Sequence, residues 1–172
     1  MKHILYSITF CLMAITVNSQ IAIGKNSVEG TATILDFDNP TSNFRGIILP
    51  AVDDAEDSTL DENNNGTFLF DRIDNKLKMY ENDDWVELSD AGSSTGLLNN
   101  TATESGDGVI IGAEQTDAIG ILVLESEDKA LKLPRVANPH LTIKSPIVGT
   151  MCYDTVSKSL AIFDGSNWNY WK

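Results

Sequence analysis

Gly66-Thr-Phe-Leu-Phe-Asp71 recurs as Gly149-Thr-Met-Cys-Tyr-Asp154, 83 residues further along the chain. The same offset, without a gap, carries Leu77 to Leu160, Tyr80 to Phe163, Glu81 to Asp164 and Trp85 to Trp168. Upstream the match continues with small drifts in offset. Arg45-Gly-Ile-Ile-Leu-Pro-Ala-Val52 meets Lys129-Ala-Leu-Lys-Leu-Pro-Arg-Val136, Ile34-Leu35 meets Ile121-Leu122, and Ile21-Ala-Ile-Gly24 meets Val109-Ile-Ile-Gly112. Self-similarity of this extent marks a repeat architecture, in which each unit needs a neighbour to bury its apolar face. The chain is therefore divided into residues 1–19, a first unit over 20–88, a Ser/Gly/Asn-rich linker over 89–108 and a second unit over 109–172.

Inside each unit the local signals are for strands. Short apolar runs (Ile34–Phe37, Ile47–Leu49, Phe68–Phe70, Val109–Ile111, Ile119–Leu124, Met151–Tyr153, Leu160–Phe163) are separated by Gly, Asn, Asp, Ser and Pro, and none sustains an amphipathic helix. The clearest element is a hairpin. Thr67–Phe70 passes through the five polar positions Asp71–Asn75 into Lys76–Tyr80, and Thr150–Tyr153 passes through Asp154–Lys158 into Ser159–Phe163. A further turn at Glu81-Asn82, or Asp164-Gly165, places Trp85 and Trp168 on a short returning strand. Pro50 and Pro134 end the strand before the hairpin, because proline cannot donate into a central ladder.

Units of fewer than seventy residues with a few short strands bury little on their own. The expected fold is all-β, two tandem copies of a hairpin-rich unit completed by packing of the copies or by oligomerisation, with a fibre-like trimer as the favoured homo-oligomer.

The order of motifs resembles that of secreted tandem-repeat surface proteins of Bacteroidetes-type bacteria, and the final hairpin is similar to repeats of phage tail fibres. Copy two carries the closer match, through Lys129, Leu133-Pro134-Arg135-Val136, Ser145-Pro146, Gly149-Thr150-Met151, Tyr153-Asp154-Thr155, Leu160, Phe163-Asp164-Gly165 and Trp168. Copy one departs at Ala51, where the family has Arg, and at Glu81-Asn82, where it has Asp-Gly. The resemblance implies an oligomeric all-β protein, adhesin-like or fibre-like, at the cell surface, outer-membrane-associated or extracellular.

The first residues support export. Lys2 and His3 precede an apolar run from Ile4 to Val17, and Val17 and Ser19 sit where a signal peptidase reads small residues before a cut after Ser19. No transmembrane segment is expected after that cut, since no other run is long and apolar enough. Processing leaves Cys152 as the one cysteine, so no internal disulfide can form; its apolar surroundings predict a buried thiol, with an intermolecular bridge as the alternative.

The formal charge is −13, from twelve basic and twenty-five acidic residues, and thirteen of the acidic residues fall between Asp53 and Asp90. Such a chain lacks the Lys/Arg surface that binding nucleic acid demands. Catalysis is poorly provided for: His140 is the one histidine after residue 3, expected in an exposed loop, so nucleophile–base pairs and zinc sites all depend on it. The sequence is read as non-enzymatic, with a hydrolase as the weakest alternative.

Two ligand readings remain. Asp61-x-Asn63-x-Asn65-Gly66 has the first half of a calcium loop, but its twelfth position is Arg72 in place of a bidentate Glu; calcium is thus the one cofactor considered, against a plain polar turn. Trp168, Tyr170 and Trp171 could stack on a cell-surface glycan or protein partner, or could pack between strands and chains. Because Trp168 recurs as Trp85, it reads as structural, whereas Tyr170 and Trp171 align with Glu87 and Leu88 and are free to bind.

Overall fold

Nearly every apolar run of the sequence becomes a short strand. The computed structural model describes residues 20–56, 59–97, 106 and 108–172, so the expected export signal and the centre of the expected linker lie outside the described residues. Copy one contains β1 (Ile21–Ile23), β2 (Thr33–Phe37), β3 (Ile47–Ile48), β4 (Ala51–Val52), a 3-10 turn (Glu62–Asn64), β5 (Phe68–Asp71), β6 (Lys76–Glu81) and β7 (Asp84–Glu87). Copy two contains β8 (Val109–Ile111), β9 (Leu122–Leu124), β10 (Ala130–Leu131), β11 (Arg135–Val136), helix α1 (Pro139–Thr142), β12 (Thr150–Asp154), β13 (Ser159–Phe163) and β14 (Trp168–Trp171). Element by element the second series repeats the first, with α1 in place of the 3-10 turn.

The pairings repeat as well. β1 runs parallel to β2, and β8 to β9. β4 runs parallel to β5, and β11 to β12. β5-β6-β7 and β12-β13-β14 are antiparallel meanders. The antiparallel hairpin is where the spacing puts it, but its connection has four residues, not five, because Asp71 pairs with Lys76 and Asp154 with Ser159. Each carboxylate belongs to the strand end and turns inward, which the polar character of Asp conceals. The fourth connecting residue takes the left-handed conformation in both copies, Asn75 at φ 59° and Lys158 at φ 57°. Pro50 and Pro134 end the strands as expected, and their carbonyls accept the amides of Phe70 and Tyr153.

Helix α1 stands where the sequence predicts a loop. Pro139 at its first position presets a helical φ and lacks the N–H that a helix start leaves idle, and its ring is buried. One turn results, and Ile143, which caps it, packs with Trp168 against a cluster of Val136, Cys152 and Ala161.

The copies are joined rather than strung out, in a β-solenoid-like stack. The main core is shared: Phe70 and Leu77 from copy one meet Val148, Met151 and Ile162 from copy two, ringed by Ile47, Leu49, Leu88, Leu97 and Trp171. Full burial of one such side chain is worth about 1.5–3 kcal/mol, so this cluster makes each copy dependent on the other. Strands cross the boundary twice: β10 pairs with β2 in parallel, with an irregularity between Ala130 and Leu131, and β3 pairs antiparallel with β12. Gly46 permits the second approach, since a Cβ there would lie 2.5 Å from the Met151 carbonyl oxygen. The start of the linker is also seated, with the Gly92 N–H on the Asn75 carbonyl (2.7 Å) and the Ser93 N–H on the Asp164 carbonyl (2.9 Å). No helix among the described residues is long and apolar enough to cross a membrane.

Candidate functional site

The polar groups inside the sheets are structural anchors. Asp71 and Asp154 occupy the same repeat position and are both buried. Asp71 accepts from the Ala55 and Ile73 amides and, at 2.8 Å, from Lys78 Nζ. Asp154 accepts from the Asn138 and Val156 amides and, at 2.7 Å, from the Ser157 hydroxyl. Burial pushes both carboxyls up, but the hydrogen bonds outweigh it and hold each below its ordinary value. Lys78 is pressed down by burial and raised more strongly by Asp71 and Asp74, so it stays charged.

The aromatic positions divide. Tyr80 meets Trp85 edge-on at 5.2 Å between ring centres, and Phe163 meets Trp168 at 5.6 Å, so the repeat preserves an aromatic pair at the third strand. Trp168 is half-buried against the Val136 cluster and Trp171 against the shared core. Tyr170 lies on the opposite face of β14 from Trp171, is exposed, and its hydroxyl lies 2.9 Å from His140 Nδ1. The three candidate ligand-binding aromatics therefore do not converge on one open surface. Cys152 is buried as expected, and burial, helped by the charge of Asp154, pushes its thiol up to about 12. It remains a neutral thiol at physiological pH.

The candidate calcium residues form a capped turn. Asp61 Oδ1 accepts the Asn63 amide at 3.0 Å and Oδ2 the Asn63 side-chain nitrogen, while Asn65 Oδ1 accepts the Asp83 amide. The Asp61 and Asn65 oxygens thus face protein donors, and Asn64 completes a capping box with Asp61. Among the described residues no group of three or more His, Cys, Asp or Glu is placed to hold a metal ion.

One ionic cluster escapes the sequence reading. Asp36, fully buried on β2, pairs with Lys25 and lies 3.4 Å from Lys132, which stands just after β10 and also reaches Glu29 at 2.7 Å. It clasps copy two to copy one. Its signal is present in the repeat alignment, where both charges are replaced together: Asp36 aligns with Val123 and Lys132 with Ile48.

The remaining candidates are association surfaces. Equivalent apolar residues differ sharply in exposure: Ile34 and Leu35 are 1% and 2% exposed, whereas their counterparts Ile121 and Leu122 are 59% and 46% exposed. The reverse holds at the other end, where Ile111 is 6% exposed and its counterpart Ile23 is 48% exposed. Apolar residues in such positions mark contact surfaces more often than they mark solvent-facing strands. No curated protein and no solved structure matches the chain. Residues 110–172, which make up all but the first residue of copy two, match the family model of a phage tail like trimerisation region.

Proposed function

We propose that this chain is an exported, non-enzymatic structural protein, fibre-like and adhesive at the cell surface, which assembles as a homotrimer through its second copy. The observation that carries this reading is the similarity of residues 110–172 to a phage tail like trimerisation region. The physics of the unit agrees with it. Strands of two to six residues leave open edges and uncovered apolar side chains, and association is the common remedy. The described polar groups support anchoring more than chemistry, since the buried carboxylates hold turns and Cys152 is a sealed thiol.

Glycan recognition by the C-terminal aromatics draws less support, because Trp168 and Trp171 give part of their surfaces to packing. Sedimentation equilibrium of the purified protein tests the reading, with three times the chain mass expected across a tenfold range of concentration. A monomer at micromolar concentration would overturn it.

A further inference from the structure

We infer that the contact joining copy one to copy two within a chain is repeated between chains, with copy two of one molecule docking head-to-tail on copy one of the next. The contact goes beyond the trimer reading, because it names the surfaces and applies equally to a closed ring and an open filament.

Strands β3 and β10 are the same element of the repeat. The amides of Ala130 and Lys132 bond to the carbonyls of Ala32, just before β2, and of Leu35 within it, both in the preceding copy. In copy one Leu49, aligned with Leu133, instead donates to Gly149 of the second copy, and Ile47 pairs with Met151. Successive backbone groups of a strand point to opposite edges. Ala130 and Lys132 align with Gly46 and Ile48, so β10 uses one edge of this repeat strand and β3 uses the other. An uninterrupted array would use both edges in every copy.

The unused partners exist and are complementary. On the leading chain, Ile121, just before β9, and Leu122, its first residue, are exposed where Ile34 and Leu35 are covered. On the next chain, Ile23 is exposed where Ile111 is covered, and the segment Thr67–Phe68 corresponds to Thr150–Met151, which receives β3. The ionic clasp is exchanged in step. Lys132 meets buried Asp36 inside the chain, and the repeated contact would set Ile48, itself 54% exposed, against Val123. One junction thus uses an ion pair and the other an apolar pair, without a stranded charge in either.

Charge disfavours one alternative. Residues 20–88 hold fifteen acidic and five basic side chains, a net −10, whereas residues 109–172 hold seven and six, a net −1. Head-to-tail docking sets the nearly neutral copy against the acidic one, and a symmetric contact between two first copies would oppose two strongly negative surfaces.

Mixing two variants that each gain one exposed cysteine, Ile23→Cys and Ile121→Cys, tests the contact under mild oxidation, with the products separated by mass. Both positions are exposed, and the buried thiol of Cys152 stays unreactive. The expected result is a mixed disulfide in at least fivefold excess over either homodimer. A mixed product less than fivefold over either homodimer, random pairing giving a twofold excess, or no disulfide, would overturn the inference, and a mass of three chains in the same sample would leave the trimer reading standing. As a second measurement, Ile121→Glu should weaken self-association at least tenfold while leaving the melting temperature of the dilute protein unchanged. An unaltered association constant would count against the contact.

Discussion

The two hairpins share a backbone and solve one problem differently. In copy one the residue opposite Leu69 is Lys78, whose ammonium is buried and pairs with Asp71 and Asp74. In copy two the residue opposite Cys152 is Ala161, and the corresponding carboxylate, Asp154, takes a hydroxyl from Ser157 in place of a cation. Both carboxylates keep two equivalent amide donors, at Ala55 and Ile73 or at Asn138 and Val156. The amide contacts are thus the constant part of the repeat, which fixes the turn, and the third partner varies with the cover on that face. Copy two packs Ile143 and Trp168 there on an apolar cluster; copy one leaves a charged one.

That difference sets the order of the mutational effects. Asp71→Ala should be the more damaging change, because it strands a buried lysine; the loss expected in urea denaturation is about 3–5 kcal/mol. Asp154→Ala leaves only amides and a hydroxyl without an acceptor, and about 1–3 kcal/mol is expected from the same measurement. Equal losses would mean that Lys78 finds compensation in Asp74 and Glu56, which lie 3.0 and 3.6 Å away.

Acid comes next. Asp36, Asp71 and Asp154 are all held below the ordinary carboxylate value, so as pH falls the unfolded chain takes up protons before the native one does. Their contribution is present above the unfolded value of about 3.9 and is lost as pH falls through the lower native values. Melting temperature should therefore drop below about pH 4, and more shallowly in Asp154→Asn. Lys78 acts at the opposite limit. Its raised value keeps its contribution intact below the ordinary lysine value of 10.5, and the contribution is lost only as pH rises through the elevated native value.

Smaller effects separate the turns and the aromatic pairs. Trp85 donates its indole N–H to the Ala55 carbonyl at 3.0 Å, and Trp85→Phe should cost about 1 kcal/mol in thermal unfolding. Lys158 and Asn75 hold the same left-handed position, which asparagine adopts at lower cost than lysine. Relief of about 1–2 kcal/mol of left-handed strain, less about 0.5–1 kcal/mol of chain entropy that glycine adds, should make Lys158→Gly stabilising by about 0.5–1 kcal/mol, and Asn75→Gly by less, read from paired urea midpoints.

Much of this is legible in the chain. The gapless offset locates both hairpins, the returning tryptophans and the strand-ending prolines, because backbone geometry at these points demands particular residue types at fixed spacing. The parallel pairs β1·β2 and β4·β5 are not legible, since two- and three-residue strands carry too little periodicity to name a partner. Helix α1 escapes for a similar reason: one turn has no apolar period, and Pro139 alone signals it. Of the candidate site residues, Asp61, Asn63 and Asn65 gather in one turn, where Asp61 accepts from Asn63 and Asn65 from Asp83, and Trp168, Tyr170 and Trp171 share a strand but not a face.

By itself the sequence determined that this is a twofold repeat of short strands, acidic in its first copy and aromatic at its end, for these are properties of residue order alone. Only the tertiary structure decided which edges meet. Whether Ile34 is covered and Ile121 bare, or Lys132 clasped and Ile48 open, depends on the unit stacked against each copy in space, and identical local patterns cannot distinguish a copy that has a neighbour on that side from one that lacks it.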